Sequence, residues 1–444
     1  LPVQPARPVF LLDRFQNASR PAGQKGQHMS QFTIPGREIR LGILGLGDRG
    51  LPQAQLLAAM PDVRIEALCD PRATRLARAQ EVLKEAFGLR PAAYAVAEQL
   101  LDHPGLEAVV VMTSWETHIP LAIQALRRGL VPALEVGGAS SLTECWQLVE
   151  ASEQTGLPVM LLENCCYGRE EMAVLNMVRQ GLFGQLVHCR GAYEHDLREE
   201  IGQGDQTGHY RQRHFLNRNA DLYPTHGLGP IASCLGLGRG NRMVSLASFA
   251  SQAAGLSGWL RAHRQDAPAL VNARPRCGDV VTTLITCAQG QTILLNHDCT
   301  LPRAYSRGGR VQGTKGIWME DNRSIYIEGR TPDLPGHWTH VWESDEPYMR
   351  EYEHPLWRAY AADGVKAGHG GMDYLVLRAF IEALQQGTPF PIDVYDAVAW
   401  MSVTALSEQS IASGGQVVAM PDFTNGRWLS PRAEAQGKYA LHGW

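Results

Sequence analysis

Hydrophobic and polar positions follow two different rhythms along the chain, and the change falls near residue 165. Segment 38–47, EIRLGILGLG, is an aliphatic run ending in glycines, as a strand buried on both faces would be. A helical stretch, LPQAQLLAAM (51–60), leads to the strand VRIEALCD (63–70), and helix 71–87 leads to the strand EAVVVMTS (107–114). Helix 118–129, strand 132–136, helix 141–156 and strand 158–164 continue the series. Strict alternation of this kind predicts a parallel sheet with helices on both faces.

Beyond an amphipathic helix at 169–184 the period drops to two. Segments 185–196, 242–252, 279–290, 291–300, 308–321 and 324–330 alternate and carry turn glycines, with no long helices at most of the junctions. They predict a large, mostly antiparallel open sheet with one covered face. A last helical stretch, 394–413, is expected to pack back across the molecule. The fold class is therefore α/β: a doubly wound, Rossmann-type N-terminal domain (36–164) followed by an α+β domain (165–430). A tail covers 431–444. Residues 1–35 hold four prolines in their first thirty positions and no periodicity, and Met29 is a candidate start after an added leader, so they are set aside.

Composition changes this picture little. At 444 residues the chain suits two cores. Charged residues make up 19% and hydrophobic residues 44%, values of a folded globular chain. A formal charge of −4 gives no reason to expect nucleic acid or anionic lipid as a partner. No apolar run is long enough to span a bilayer. Nine scattered cysteines, with no C-x-x-C pair and no zinc spacing, suggest reduced thiols and no metal site.

The first strand runs into Gly45-Leu46-Gly47-Asp48-Arg49-Gly50, a G-x-G-x-x-G turn. Such a turn lets the backbone approach a pyrophosphate at a helix N-terminus. Asp70 follows at the end of the second strand, placed to accept from ribose hydroxyls and to favour NAD over NADP. Later strand ends carry Thr113 to His118, Glu135-Val136 and Glu163-Asn164, where ligands of doubly wound sheets lie. The bland alternative for each is a cap, and Thr117 reads as an N-cap. In the second domain DLYPTHGLGP (221–230) fixes Tyr223 and His226 three residues apart, which suits either a buried loop or an acid/base pair.

Several motifs stand in order: GLGDRG, WETH (115–118), LLENCCY (161–167), YEHDLR (193–198), LYPTHG (222–227), PRAYS (302–306) and GHGGMDY (368–374). Together they resemble the NAD-dependent glycoside hydrolases of family 109, known as α-N-acetylgalactosaminidases. These lie within the glucose–fructose oxidoreductase/inositol dehydrogenase superfamily, and the likeness runs over about 36–430. The resemblance implies NAD contacts at Asp48, Arg49, Asp70, Trp115 through His118, Glu135, Val136 and Asn164. It implies sugar contacts at Tyr193, Arg211, Tyr223, Pro224, Thr225, His226 and Tyr305, to which Glu163 and His195 are added. The stretch 199–212 is shorter than expected of the family, which loosens the match of Arg211.

Dehydrogenases of the superfamily carry Glu-Lys-Pro where this chain reads Glu135-Val136-Gly137, so the lysine of a net dehydrogenase is missing. The implied family chemistry uses NAD without consuming it: oxidation at sugar C3, loss of the C2 proton, elimination of the C1 substituent, water addition and re-reduction. That route needs no pair of glycosidase carboxylates. His226 is the candidate base at the C3 hydroxyl, since histidine titrates near neutrality. Tyr305 is the candidate base at C2, with Arg307 or His297 as helpers. His369 and His195 are candidates for protonating the leaving group, and Tyr223 for holding the sugar. The competing readings are a sugar or inositol dehydrogenase that releases NADH, and a non-enzymatic NAD-binding regulator. The broad sheet of the second domain is an expected face for a homo-oligomer.

Overall fold

The computed structural model describes residues 36–332, 341–366, 368–430 and 433–441. The set-aside segment 1–35 and Trp338 lie outside them. Six strands form the first sheet: β1 (Ile39–Leu44), β2 (Val63–Cys69), β3 (Ala92–Tyr94), β4 (Ala108–Val111), β5 (Val131–Leu134) and β6 (Met160–Leu161). Their order is β3-β2-β1-β4-β5-β6, all parallel, with the reversal between β1 and β4. Every residue of β4 is buried, as the continuous apolar run requires of a central strand covered on both faces.

The second sheet has nine strands: β7 (Leu186–Glu194), β8 (Met243–Ala250), β9 (Val280–Cys287), β10 (Thr292–Asp298), β11 (Arg310–Gly313), β12 (Gly316–Met319), β13 (Ser324–Ile327), β14 (Glu343–Ser344) and β15 (Val418–Ala419). The order is β14-β13-β12-β11-β7-β10-β9-β8-β15, antiparallel except for the pair β7–β10. On β9 residues alternate between buried and part- or fully exposed, so one face is covered and the other open. The stretch 308–321 is a hairpin of β11 and β12 rather than one strand. β3, β14 and β15 had no clear pattern in the sequence, being only two or three residues long.

Two helices join the layers. Val394–Ala412 begins with a capping box at Asp393 and Asp396. It crosses the molecule: Met401 O accepts from Ala139 N–H, Thr404 Oγ1 donates to Asp221 O, and Ser410 Oγ accepts from Ser248 N–H. The helix Thr225–Leu235 lies on β7. Here the sequence reading needs correcting, because Thr225 and His226 open this helix instead of lying in a loop. The glycines behind them serve the packing. A Cβ on Gly227 would overlap Ala192 N, and one on Gly191 would overlap the Gly227 carbonyl, so only glycine lets helix and strand approach this closely. Residues 433–441 dock rather than trail, with Tyr439 O accepting from the Tyr167 hydroxyl at 2.9 Å. Trp357 is buried and donates to Tyr167 O, as a core residue would, whereas Trp342 is about half exposed.

Candidate active site

The strand ends of the first sheet deliver the cofactor-side residues. Gly45 has φ +89°, and a side chain there would run into the Met112 carbonyl, so the turn after β1 needs glycine. Gly47 faces only the Arg75 side chain, and Asp48 is exposed on the same turn. Asp70, 3% exposed, accepts from Leu46 N–H and Arg72 N–H, both at 2.9 Å. The carboxylate thus ties the tip of β2 to the glycine turn, with Arg75 3.9 Å away. Trp115 starts the helix Trp115–Arg127, with Ser114 at its N-cap. Thr117 is therefore not the cap; its hydroxyl lies inside the first turn and bonds Thr113 Oγ1 and Ser114 O. His118 is fully buried and donates Nε2–H to Thr113 O, and burial lowers its pKa to about 4, so the ring is neutral.

These residues fit a dinucleotide. The glycine turn meets a helix N-terminus, the carboxylate waits at the end of β2, and Trp115 Nε1 and His118 Nδ1 are buried with no hydrogen-bond partner among the described residues. Val136 is buried next to Gly137, where a side chain would overlap the Trp115 indole. That contact explains the glycine at 137. Burial raises the Glu135 carboxyl, opposed by Arg49 at 3.5 Å. Asn164 donates to Asp373 at 2.6 Å.

The second domain contributes an aromatic box. The ring of Tyr193 lies 4.5 Å from that of Tyr223, and Tyr223 lies 4.8 Å from His226 and 5.6 Å from Trp115. Arg211 reaches into it with its guanidinium 5.2 Å from the Tyr223 ring and 5.5 Å from Trp115, held from outside by Glu200 at 3.1 Å. A cation held over aromatic faces in this way contributes about 2 kcal/mol when desolvated. Arg211 therefore belongs to the box despite the short segment before it. Burial pushes the Tyr193 hydroxyl up to about 12, with Arg211 opposing. Pro224 precedes the helix, and Thr225 is fully buried beside Glu163.

His226 Nδ1 donates to Glu163 Oε1 at 2.7 Å. Glu163 has no exposed surface and also accepts from Cys165 N–H. Its Oε1 is thus committed to His226 and to the Cys165 N–H, which sets the carboxylate behind the histidine. Burial alone would raise this carboxyl, but the His226 charge and hydrogen bond outweigh it and hold the group below its ordinary value. With Nδ1–H donating, Nε2 is the ring atom left to take a proton. Donor atoms of Glu163, Cys165 and His226 fall within 4.8 Å of one another. The 2.7 Å contact is nevertheless a hydrogen bond, shorter than the roughly 3.3 Å separating two ligands of one tetrahedral zinc.

Tyr305 lies edge-on to His195 at 5.1 Å and to Tyr193 at 6.2 Å, about half exposed. Burial raises its hydroxyl, and Arg307, 3.4 Å away, opposes that rise from a buried ion pair with Glu171. His297 is not a helper: it sits against Cys299 and Phe215 in the core. His195 shares a hydrogen bond with the Tyr193 hydroxyl at 3.2 Å, and the neighbouring Asp196 pairs with Arg198. His369 is placed elsewhere, 2.8 Å from Asp373 and 2.9 Å from Arg49 at the cofactor turn. Asp373 itself escaped the sequence reading although it stands in the GHGGMDY motif.

Residues 39–162 match the NAD-binding Rossmann fold of the GFO/IDH/MocA oxidoreductase family, and 167–430 match the C-terminal domain of glycosyl hydrolase 109. The chain is 43% identical to a glycosyl hydrolase family 109 protein of Stenotrophomonas maltophilia, over 91% of this chain and 93% of that one. It is 38% identical to an α-N-acetylgalactosaminidase of Tannerella forsythia, over 88% and 87%. Among solved structures, myo-inositol 2-dehydrogenase from Lactobacillus plantarum shares the fold, with a TM-score of 0.61 at 15% identity over 87% of this chain and all of that one. A Rossmann domain carrying a sheet domain of this matched type, over nearly its whole length, makes the chain a member of glycosyl hydrolase family 109.

Proposed function

We propose that this glycosidase removes terminal α-N-acetylgalactosamine, using NAD that is oxidising and reducing within each cycle and is not consumed. The observation that carries the reading is the His226–Glu163 pair at the wall of the Tyr193–Tyr223–Arg211 box, beside the strand end Glu135-Val136-Gly137. The likeness to relatives named α-N-acetylgalactosaminidase supports the sugar.

Held by the glycine turn, Asp70 and Trp115, NAD would supply the hydride chemistry at sugar C3. The chain's own residues handle protons and position. His226 Nε2 takes the C3 hydroxyl proton, and the ionised Glu163 carboxylate stabilises the imidazolium that results. Oxidation at C3 acidifies the C2 proton, which Tyr305 removes with Arg307 lowering the cost of its anion. The C1 oxygen then leaves with a proton from His195, the histidine candidate that lies against Tyr193 and Tyr305. Tyr193, Tyr223 and Arg211 hold the ring through these steps. Asp70 favours NAD, because a 2′-phosphate would meet its carboxylate.

Aryl α-N-acetylgalactosaminide offered to the NAD-loaded protein should release aglycone with no net NADH. Accumulation of NADH from free sugar, without aglycone release, would instead mark a dehydrogenase.

A further inference from the structure

The proposed cycle makes a demand on the cofactor. If NADH escaped before its hydride returned, the sugar would be stranded as a ketone and the enzyme left idle. The chain should therefore hold its dinucleotide more firmly than a dehydrogenase that must exchange it at every turnover.

One polar node is built for this and takes no part in the chemistry above. Asp373 is 2% exposed and stands at the start of the helix Met372–Gln386, in the second domain. Its two carboxylate oxygens accept both ends of the Arg49 guanidinium, at 2.9 and 3.2 Å. Arg49 belongs to the glycine turn of the first domain, so the pair crosses from one domain to the other. Asn164 Nδ2 donates to Asp373 at 2.6 Å from the end of the Rossmann sheet, and His369 Nδ1 lies 2.8 Å away. Arg49 is also 3.5 Å from Glu135. The lead into the helix is fixed by four successive residues with positive φ, Gly368, His369, Gly370 and Gly371. His369 is the one of the four with a side chain, and its bond to Asp373 offsets the cost of that backbone conformation.

We infer that Asp373 is a positioning residue for cofactor retention: it clasps Arg49, and through it the dinucleotide turn, against the second domain. A bidentate arginine–carboxylate pair with one partner fully buried suits a latch between domains better than a single contact would. The inference rests on the NAD-dependent reading given above.

The test measures NAD release from the full-length, NAD-loaded enzyme by desalting and by stopped-flow displacement, alongside kcat and the KM for NAD. Asp373→Asn should raise the NAD release rate at least tenfold and the KM for NAD by a similar factor, while kcat at saturating NAD stays within a few-fold. His369→Ala, a change at a half-exposed ring, should raise release by a smaller factor and covers the case of a misfolded Asp373 variant. Unchanged release in both variants would overturn the clasp, as would a collapse of kcat at saturating NAD with release unaltered. Wild-type protein that binds no NAD at all would overturn the functional reading itself, which is a different result.

Discussion

His226 Nδ1 and Glu163 Oε1 lie 2.7 Å apart, and the carboxylate has no exposed surface. The two come from different domains' edges, Glu163 from the loop after the last Rossmann strand and His226 from the first turn of the helix on β7. A buried anion so placed fixes the ring tautomer, with Nδ1–H toward Glu163 and Nε2 facing away from it. Glu163→Gln keeps the shape and removes the charge. It should lower kcat about 10- to 100-fold, because the imidazolium formed when Nε2 takes the proton loses the anion that stabilises it. His226→Ala should lose essentially all activity. The stability linkage has a definite sign. The Glu163 carboxyl is held below its ordinary value of 4.5, so its contribution is present in full above that pH and is lost as the pH falls through the lower folded-state value.

Arg211 is the cation of the aromatic box, within 6 Å of the Trp115, Tyr193 and Tyr223 rings. Lysine cannot reproduce a planar guanidinium that meets Glu200 and three ring faces together. Arg211→Lys is expected to raise the sugar KM about tenfold or more while leaving NAD binding intact, measured by separate titrations of the two ligands.

Asp70 gives both its oxygens to backbone N–H groups of the glycine turn and of Arg72. Asp70→Ser should weaken NAD binding and cut the preference for NAD over NADP at least tenfold, since Arg75, 3.9 Å from the carboxylate, is then left without a competing anion. Binding constants for the two dinucleotides decide the point.

Asp221 is fully buried, and burial raises its carboxyl from 3.8 to about 7, with the Tyr223 N–H opposing. Folded Asp221 keeps its proton through a window in which the unfolded chain has lost it. Stability should therefore decline as the pH climbs from about 4 to about 7, by about 4 kcal/mol at most. Asp221→Asn can still accept from Tyr223 N–H and should flatten that decline. Urea unfolding across the window checks it.

The architecture was legible wherever the period was clean. β1, β2, β4 and the long alternating strands β7 to β10 lie where their rhythm puts them, because burial on two faces or on one imposes that pattern directly. Short elements gave no period to read, and the helix Thr225–Leu235 was hidden by Pro224, Pro230 and two glycines, Gly227 and Gly229, that look like turn residues. Gly227 answers a tertiary need, the close approach to β7, which no local rule announces. The site was legible in its residue types more than in its pairings. Sequence could nominate His369 and His195 alike, but only the fold shows one bound to Asp373 at the cofactor turn and the other against Tyr193 of the aromatic box. Asp373 and Glu171 act across more than a hundred residues of chain, and nothing in their immediate neighbours marks them.

The central claim is cleavage by oxidation and elimination, and the most direct test is hydrolysis of an aryl α-N-acetylgalactosaminide in D2O, with NADH absorbance followed throughout. Elimination removes the C2 proton and water addition replaces it, so the released sugar should carry deuterium at C2 while no NADH accumulates. Sugar released with hydrogen intact at C2 would contradict the account and point to direct displacement at C1.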